Sequence, residues 1–303
     1  MLSNVLCARD FSPASERAFS YALDVVERTA ASLHLMYIEE ISLGIFQGDP
    51  SPAPGRRALQ KTFEERCRAD LADVRSSPEE DRVSLITKRS GAVAPTLVEY
   101  AEANDIDLLV MGTHGRRGVE RAMVGSVAEE VLRTATCPVL TTRAVDPDED
   151  NAGPLSPSID RVVVPVDFSD ASRAALQYAT RVAAMYDVPM TLVHVVSLPK
   201  VPAVYGVELP ALSQMELIDR AKAEVETWAE EMIPTERSAS CVVHAGNPVG
   251  SILETASSPS DLVVMATRGL SGVKRMMLGS VAEGVLREAH GPVLSCRSFP
   301  SLP

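Results

Sequence analysis

The chain has 303 residues, which suggests about two domains at ~150 residues each. It is 46% hydrophobic and 23% charged, so each half has enough apolar content to bury its own core. A net charge of −12 argues against non-specific binding to nucleic acid or anionic lipid, and no apolar run reaches the ~20 residues of a membrane-spanning helix.

The chain opens MLSNVLCARD, which lacks the basic and apolar regions of a secretory signal. VLCAR reads as a short buried strand ending at Asp10. Ala14 to Ala31 has helical spacing, with Ala18, Ala22, Val25 and Val26 on one face. SLHLMYI is a second strand. A loop with GDPSPAPG follows, then an amphipathic stretch from Arg57 to Val74. RVSLITK is a third strand, PTLVEYAEAN a helix and DLLVMG a fourth strand. Ser126 to Thr134 is helical again, and PVLTTR is a fifth strand.

The second half repeats the first. VLCARDFSPASERAFSYAL matches VVVPVDFSDASRAALQYAT, and KRSGAVAPTLVEYAE matches VHAGNPVGSILETAS. From Leu108 to Leu140 against Leu262 to Leu294, about two thirds of positions are identical without a gap. A period of about 155 residues is too long for a solenoid, so each copy is a domain. The segment AVDPDEDNAGPLSPSID reads as a linker. The expected limits are residues 1–144, a linker 145–159, and 160–303. VVVPV, MTLVHVV, CVVHA, DLVVMA and PVLSC are the strands of the second copy.

Strand and helix alternate throughout, which predicts an α/β fold with a parallel sheet and right-handed crossovers. Such sheets bind ligands at the C-terminal strand ends, where the strand order reverses. Two features fall there. The first is an acid, Asp10 or Asp167, followed by Phe-Ser and a helix. It reads equally as part of a helix cap, with Ser12 or Ser169, or as an acceptor for a nucleoside. The second is VMGTHGRRGVERAMVGS, repeated as VMATRGLSGVKRMMLGS. Its spaced glycines let a backbone approach a ligand, and it ends at a helix N-terminus, which favours anions. Arg116, Arg117 and Arg121 in one copy, and Arg268, Lys274 and Arg275 in the other, make both loops basic. Ser126-Val-Ala-Glu129 and Ser280-Val-Ala-Glu283 read as capping boxes. Met276-Met277 read as gap-fillers in that loop.

These residues resemble the universal stress protein family. The resemblance rests on G-x₂-G-x₉-G-[ST] after strand four and on D-F-S after strand one, both found twice in register. It implies two tandem Rossmann-like domains (adenine nucleotide alpha hydrolase-like), each a five-stranded parallel sheet of order 3-2-1-4-5 with helices on both faces. It implies a nucleotide between strands one and four. Carried over by position, Asp10 and Asp167 contact the adenine, and the backbones of Ile38 and Val195 meet the base. Met111-Gly112 and Met265-Ala266 lie near the ribose. Gly115, Gly125, Ser126 and Val127, and in the second copy Gly269, Gly279, Ser280 and Val281, cradle ribose and phosphate. His114 and Arg268 are phosphate neighbours.

The copies differ in two places. Ala8-Arg9 stands where the second copy has Pro165-Val166, so Arg9 could pair with Asp10 or face a phosphate. Ala266 replaces Gly112; if that position needs φ > 0, alanine is strained by ~1 kcal/mol or more.

The expected function is an ATP-binding stress-response module or switch, with or without Mg²⁺ and with at most slow hydrolysis, since no G-x₄-G-K-[ST] occurs. Alternatives are an adenine-nucleotide hydrolase-type enzyme, disfavoured because RDFSPAS and VDFSDAS replace a Ser-Gly-Gly-x-Asp-Ser loop, and a nucleotide-free interaction protein. The five cysteines form no CxxC pair and read as core residues in a reduced, cytoplasmic setting. His34, His194, His244 and His290 lack metal-ligand spacing, and Trp228 reads as packing against the sheet. The fifth strand is an exposed edge. The resemblance implies an intrachain pseudo-dimer through the two strand-five edges, and a homodimer beyond it is expected.

Overall fold

A computed structural model describes residues 2–41, 56–72, 78–113, 124–144, 157–197, 211–267 and 278–297. Its contacts divide the chain into two compact units, Met1–Pro157 and Ser158–Pro303.

In unit one, apolar runs form five strands: β1 (Asn4–Ala8), β2 (Ser32–Glu40), β3 (Val83–Ser90), β4 (Leu108–Gly112) and β5 (Val139–Thr142). All pair parallel, in the order β3-β2-β1-β4-β5. The central strands are apolar on both faces because helices cover both: Val5, Leu6 and Cys7 of β1 and Leu109 and Val110 of β4 are fully buried. The helices are α1 (Pro13–Thr29), α2 (Arg56–Ala72), α3 (Val93–Ala103) and α4 (Ser126–Thr134). α1 shows why its boundaries fall where they do. Ser12 caps it by accepting from the Ser15 N–H, Pro13 supplies a preset φ in the first turn, and Ala30 ends it in the left-handed region. Its buried face is the one expected, with Ala18, Ala22, Val25 and Val26 against the sheet.

β2 and β3 run about two residues past their expected ends. Glu39 lies opposite Arg89 in the ladder, and the two side chains form an ion pair. That cross-strand pair carries the strands beyond their apolar segment.

Unit two repeats the plan with β6 (Arg161–Pro165), β7 (Met190–Val196), β8 (Ala239–Ala245), β9 (Asp261–Ala266) and β10 (Val293–Cys296). Their order is β8-β7-β6-β9-β10, again parallel. The helices are α5 (Asp170–Tyr186), α6 (Ala211–Met232), α7 (Pro248–Thr255) and α8 (Ser280–Glu288). At the N-terminal end of its sheet, Arg161 grips the buried Asp261 through two bonds of 2.9 and 2.7 Å, and the Ser258 N–H also donates to Asp261. Unit one does this job with Asp107, which accepts from the backbone N–H groups of Ser3 and Asn4.

Candidate functional site

In each unit the crevice lies where the chain leaves the central strands in opposite directions. β1 has β2 on one side and β4 on the other, and in unit two β6 lies between β7 and β9. β1 ends at Ala8, opposite Met36, while β2 continues to Glu40. Asp10 therefore follows directly on the strand end, and Ile38 lies on the stretch of β2 beyond it. Val195 of β7 stands two residues past Val193, the partner of Pro165, and precedes the same kind of turn at Asp167.

The turn that carries the acid is built alike in both units. Asp10 Oδ1 accepts from the Ser12 N–H at 3.0 Å and from its hydroxyl at 2.6 Å, while Ser12 Oγ caps the Ser15 N–H. Asp167 Oδ1 accepts from Ser169 in the same two ways, at 3.1 and 2.5 Å, and Ser169 caps the Ser172 N–H at 3.1 Å. The residue between acid and serine takes a left-handed backbone: φ is 62° at Phe11 and 63° at Phe168. A bulky side chain there is strained, so surrounding structure must hold it. The Phe11 ring packs against Tyr37 and Phe63, and the Phe168 ring against His194 and Trp228. Trp228, in α6, thus reaches the turn beside Asp167 as well as packing in the core. His194 Nδ1 bonds the Val166 carbonyl at 2.7 Å, tying β7 to the same turn. Both phenylalanines belong to the repeated Asp-Phe-Ser, but the sequence alone assigns their rings no role. Their signal was the exact recurrence of Asp-Phe-Ser, which an aromatic at a turn does not otherwise require.

Arg9 is not an open cation; its guanidinium is committed to carboxylates of two helices. Its side chain is 0% exposed, and Nη2 bonds Glu16 of α1 at 2.7 Å and Asp70 of α2 at 2.9 Å. Its counterpart Val166 is simply buried. In both units the backbone N–H at this position donates to β2 or β7: Arg9 to the Met36 carbonyl, Val166 to the Val193 carbonyl. Ala8 and Pro165 close their strands, half-buried.

The second wall is the end of β4 or β9. Met111 and Met265 are buried, and Gly112 and Ala266 are half-buried at the strand tips. Gly112 does not have a positive φ; among the described glycines only Gly246 does. The requirement is space instead. A Cβ on Gly112 would stand 2.8 Å from the carbonyl carbon of Ala14 and 2.9 Å from Ser15 N, in the first turn of α1. Thr142 Oγ1 holds that turn down by donating to the Ala14 carbonyl at 2.9 Å. Unit two has Ala266 and Cys296 at the two matching places, so both the gap and the tether are exchanged together. Ala266 does not have a positive φ either, so the backbone strain expected there does not arise.

The glycine segment leaves from Thr113 and Thr267 and returns to Gly125 and Gly279. The Gly125 N–H donates to the Thr113 carbonyl at 2.9 Å, and the Gly279 N–H to the Thr267 carbonyl at 2.9 Å. Both threonines are buried. His114, Gly115, Arg268, Gly269, the loop arginines and lysine, and Met276-Met277 lie outside the described residues. Beyond the loop, the capping boxes do not form. Gly125 and Gly279 are the N-caps, at φ −62° and −68°, and among the described residues no side chain caps either helix. Ser126 and Ser280 are the first helical residues and are exposed; Val127 and Val281 are half-buried. The first intrahelical bonds run from Glu129 to Gly125 and from Glu283 to Gly279. The N–H groups before them form the positive end of the helix, with a glycine in place of a capping hydroxyl.

The cysteines are set apart from this chemistry. Burial pushes Cys7 up to about 12, Cys67 to about 11 and Cys137 to about 12, and raises Cys241 and Cys296 as well. Thiols held neutral are poor nucleophiles and poor ligands.

A parallel sheet with an acid-bearing turn at one wall of its switch-point crevice and an uncapped helix N-terminus beyond the other defines a doubly wound α/β module, present here twice. The family model described as "Universal stress protein family" matches residues 1–143 and 158–297, and the chain belongs to that family. A universal stress protein of Mycobacterium tuberculosis is 28% identical over 299 residues, covering 97% of this chain and 96% of the relative. Another from the same species is 31% identical over 208 residues, 67% of this chain and 65% of that protein's length. The chain thus spans about two thirds of that second relative. Among solved structures, a universal stress protein from Archaeoglobus fulgidus superposes with a TM-score of 0.60 at 20% identity, covering 97% of this chain and 98% of the other. That likeness concerns the fold.

Proposed function

We propose that the chain binds adenine nucleotide, ATP in particular, once in each unit, and acts as a nucleotide-dependent stress-response module. One observation carries the reading. In both units a helix N-terminus with a glycine N-cap and no side-chain cap follows a basic loop, one strand away from a turn bearing a carboxylate. Asp10 or Asp167, with Ile38 or Val195, would meet the base. Met111 and Gly112, or Met265 and Ala266, would line the ribose. Ser126 and Val127, or Ser280 and Val281, would offer backbone N–H groups to phosphate, and Gly125 or Gly279, whose own N–H is held by Thr113 or Thr267, would let the phosphate approach the helix end, with Gly115, Gly269, His114 and Arg268 completing the loop. Bound ATP would supply anionic charge that the helix end neutralises; any Mg²⁺ would ride on its phosphates. Hydrolysis is at most slow, because no lysine of P-loop spacing is fixed against the terminal phosphates.

A specific set of contacts favours a second reading, a nucleotide-free interaction protein. Asp10 and Asp167 already serve the Ser12 and Ser169 caps. Gly112 is explained by packing. The test is direct: purify the protein without added nucleotide, denature it and identify what is released. Adenine nucleotide at about two per chain supports two sites, and none released with no ATP uptake supports the second reading.

Domain limits of 1–144 and 160–303, strand-five pairing within the chain, homodimerisation and a cytoplasmic location complete the proposal on the strength of the resemblance. No helix of the described residues is long and apolar enough to cross a membrane. A homodimer by light scattering at micromolar concentration is the expected assembly; a monomer refutes it.

A further inference from the structure

The two units anchor the acid-bearing turn by different physics, and Arg9 is the cause. In unit one Asp10 lies between two pinned residues. On one side, the Arg9 guanidinium sits 3.9 Å from the Phe19 ring centroid and 4.9 Å from that of Phe11. Its Nη2 joins Glu16 and Asp70. Nε and Nη1 are buried and find no hydrogen-bond partner in the structure. On the other side, Arg66 of α2 lies 4.0 Å from the Phe11 ring centroid and 3.5 Å from Glu16. The strained Phe11 is thus in contact with two guanidinium groups that share one carboxylate. Asp70 and Glu16 are 31% exposed, so they stay hydrated while they neutralise a fully buried cation.

Among the described residues, unit two has no counterpart. Val166 fills the position of Arg9, and Phe168 is held by His194 at 4.6 Å and by the edge of Trp228 at 5.4 Å. Arg173 stacks on Trp228 at 4.4 Å, one layer further out. A buried cation with two unmatched donors is an expensive way to fill a space that valine fills next door. What it adds is directional: it ties α1 and α2 to the residue immediately before the acid.

We propose that Arg9 is a positioning residue for the unit-one site, holding Asp10 in place through its links to Phe11, Glu16 and Asp70, so that the two nucleotide sites depend on different anchors. This rests on the nucleotide-binding reading above. The site of unit one then responds to loss of the Arg9 charge, and that of unit two does not.

The test uses the full chain with Arg9→Met, which fills the slot without charge or fork geometry. Trp228 is the one tryptophan and touches the turn of unit two, so its emission follows that site alone, while calorimetry with ATP counts both. The expected result is unit-one affinity lower by about tenfold, the usual scale for loss of an orienting contact, with the Trp228 titration unchanged. Amide exchange at Asp10–Ser12 accelerates, and exchange at Asp167–Ser169 does not. Arg9→Lys restores little, because an ammonium cannot hold both carboxylates and lie flat between two rings. Unit-one affinity within twofold of wild type in a folded Arg9→Met protein, or unchanged amide exchange, overturns the proposal. Should that variant not fold, Glu16→Gln at the half-exposed partner serves: a drop of about threefold supports it and no drop overturns it. Wild-type protein that binds no ATP at unit one removes the proposal and the functional reading together. Wild-type protein that binds at both units while the variants do not respond removes the proposal alone.

Discussion

Gly112→Ala isolates the reason for the difference between the two glycine segments. The added Cβ would meet three backbone or Cβ atoms of Ala14 and Ser15 at 2.8–2.9 Å, where ordinary contact begins near 3.4 Å. The first turn of α1 must therefore retreat by about 0.6 Å, the difference between those distances. It cannot do so freely, because Thr142 binds the Ala14 carbonyl and Ser12 caps the same turn. Overpacking against fixed backbone costs about 1–3 kcal/mol, and about 2 kcal/mol is expected here. For a unit of this size that lowers Tm by about 4–8 °C. Urea denaturation followed by far-UV circular dichroism measures the loss, with Trp228 emission tracking unit two as an internal reference. Adding Thr142→Cys, which recreates the pair found in unit two, should cost less than the sum of the single changes. An unchanged unit-one transition in Gly112→Ala would show that the close approach exerts no force and that the Gly112/Ala266 difference needs another cause.

Ser12→Ala should cost about 1 kcal/mol, because it removes an N-cap, and should also free Asp10 from one donor; the urea midpoint and amide exchange at Asp10 check the two effects. Phe168→Gly relieves the left-handed strain but loses the ring packed on Trp228 and His194, so the net change is a destabilisation of about 2 kcal/mol with a red shift of Trp228 emission. Asp261→Ala removes both carboxylate bonds of Arg161, which keeps the Thr255 carbonyl, and leaves the Ser258 N–H without its acceptor; it should cost about 1–3 kcal/mol in unit two. Thiol titration at pH 8 should label Cys241 first and Cys7, Cys67 and Cys137 only on unfolding. The folded thiols keep their protons up to about 11 or 12, whereas an unfolded thiol loses its proton near 9. The unfolded state then binds fewer protons, so stability falls as pH rises from about 9 towards 12. Stability that is flat across that window contradicts the burial.

The fold was legible because its signals are local and doubled. Alternating strand and helix periods, the repeated Asp-Phe-Ser and the repeated glycine segment each lie within a few residues. The reasons for individual residues were less legible. Gly112 looks like a turn glycine, yet it makes room for a helix that begins almost a hundred residues earlier in the chain (roughly, by sequence position). Ser126 looks like a cap because serine three before glutamate usually is one, but the chain enters α4 one residue sooner, at Gly125. Arg9 stands beside Asp10 in sequence, but its carboxylate partner Asp70 is brought by α2. Strand direction alternates side chains, so neighbours along the chain point apart. The misses at Gly112 and Arg9 concern contacts that only the tertiary fold supplies; the one at Ser126 is a helix start shifted by a single residue.

The central claim is that the uncapped helix ends receive phosphate. Gly125→Asp and Gly279→Asp test it with least ambiguity. Both positions have extended N-cap backbones, which aspartate adopts readily. The change should therefore hold or raise Tm, while an anionic side chain takes the N–H groups that ATP would use. Calorimetry on the full chain should give about two ATP for the wild type, about one for each single variant and none for the double. Equal ATP binding by the wild type and the aspartate variants would contradict the account, and so would a wild type that binds no ATP at all.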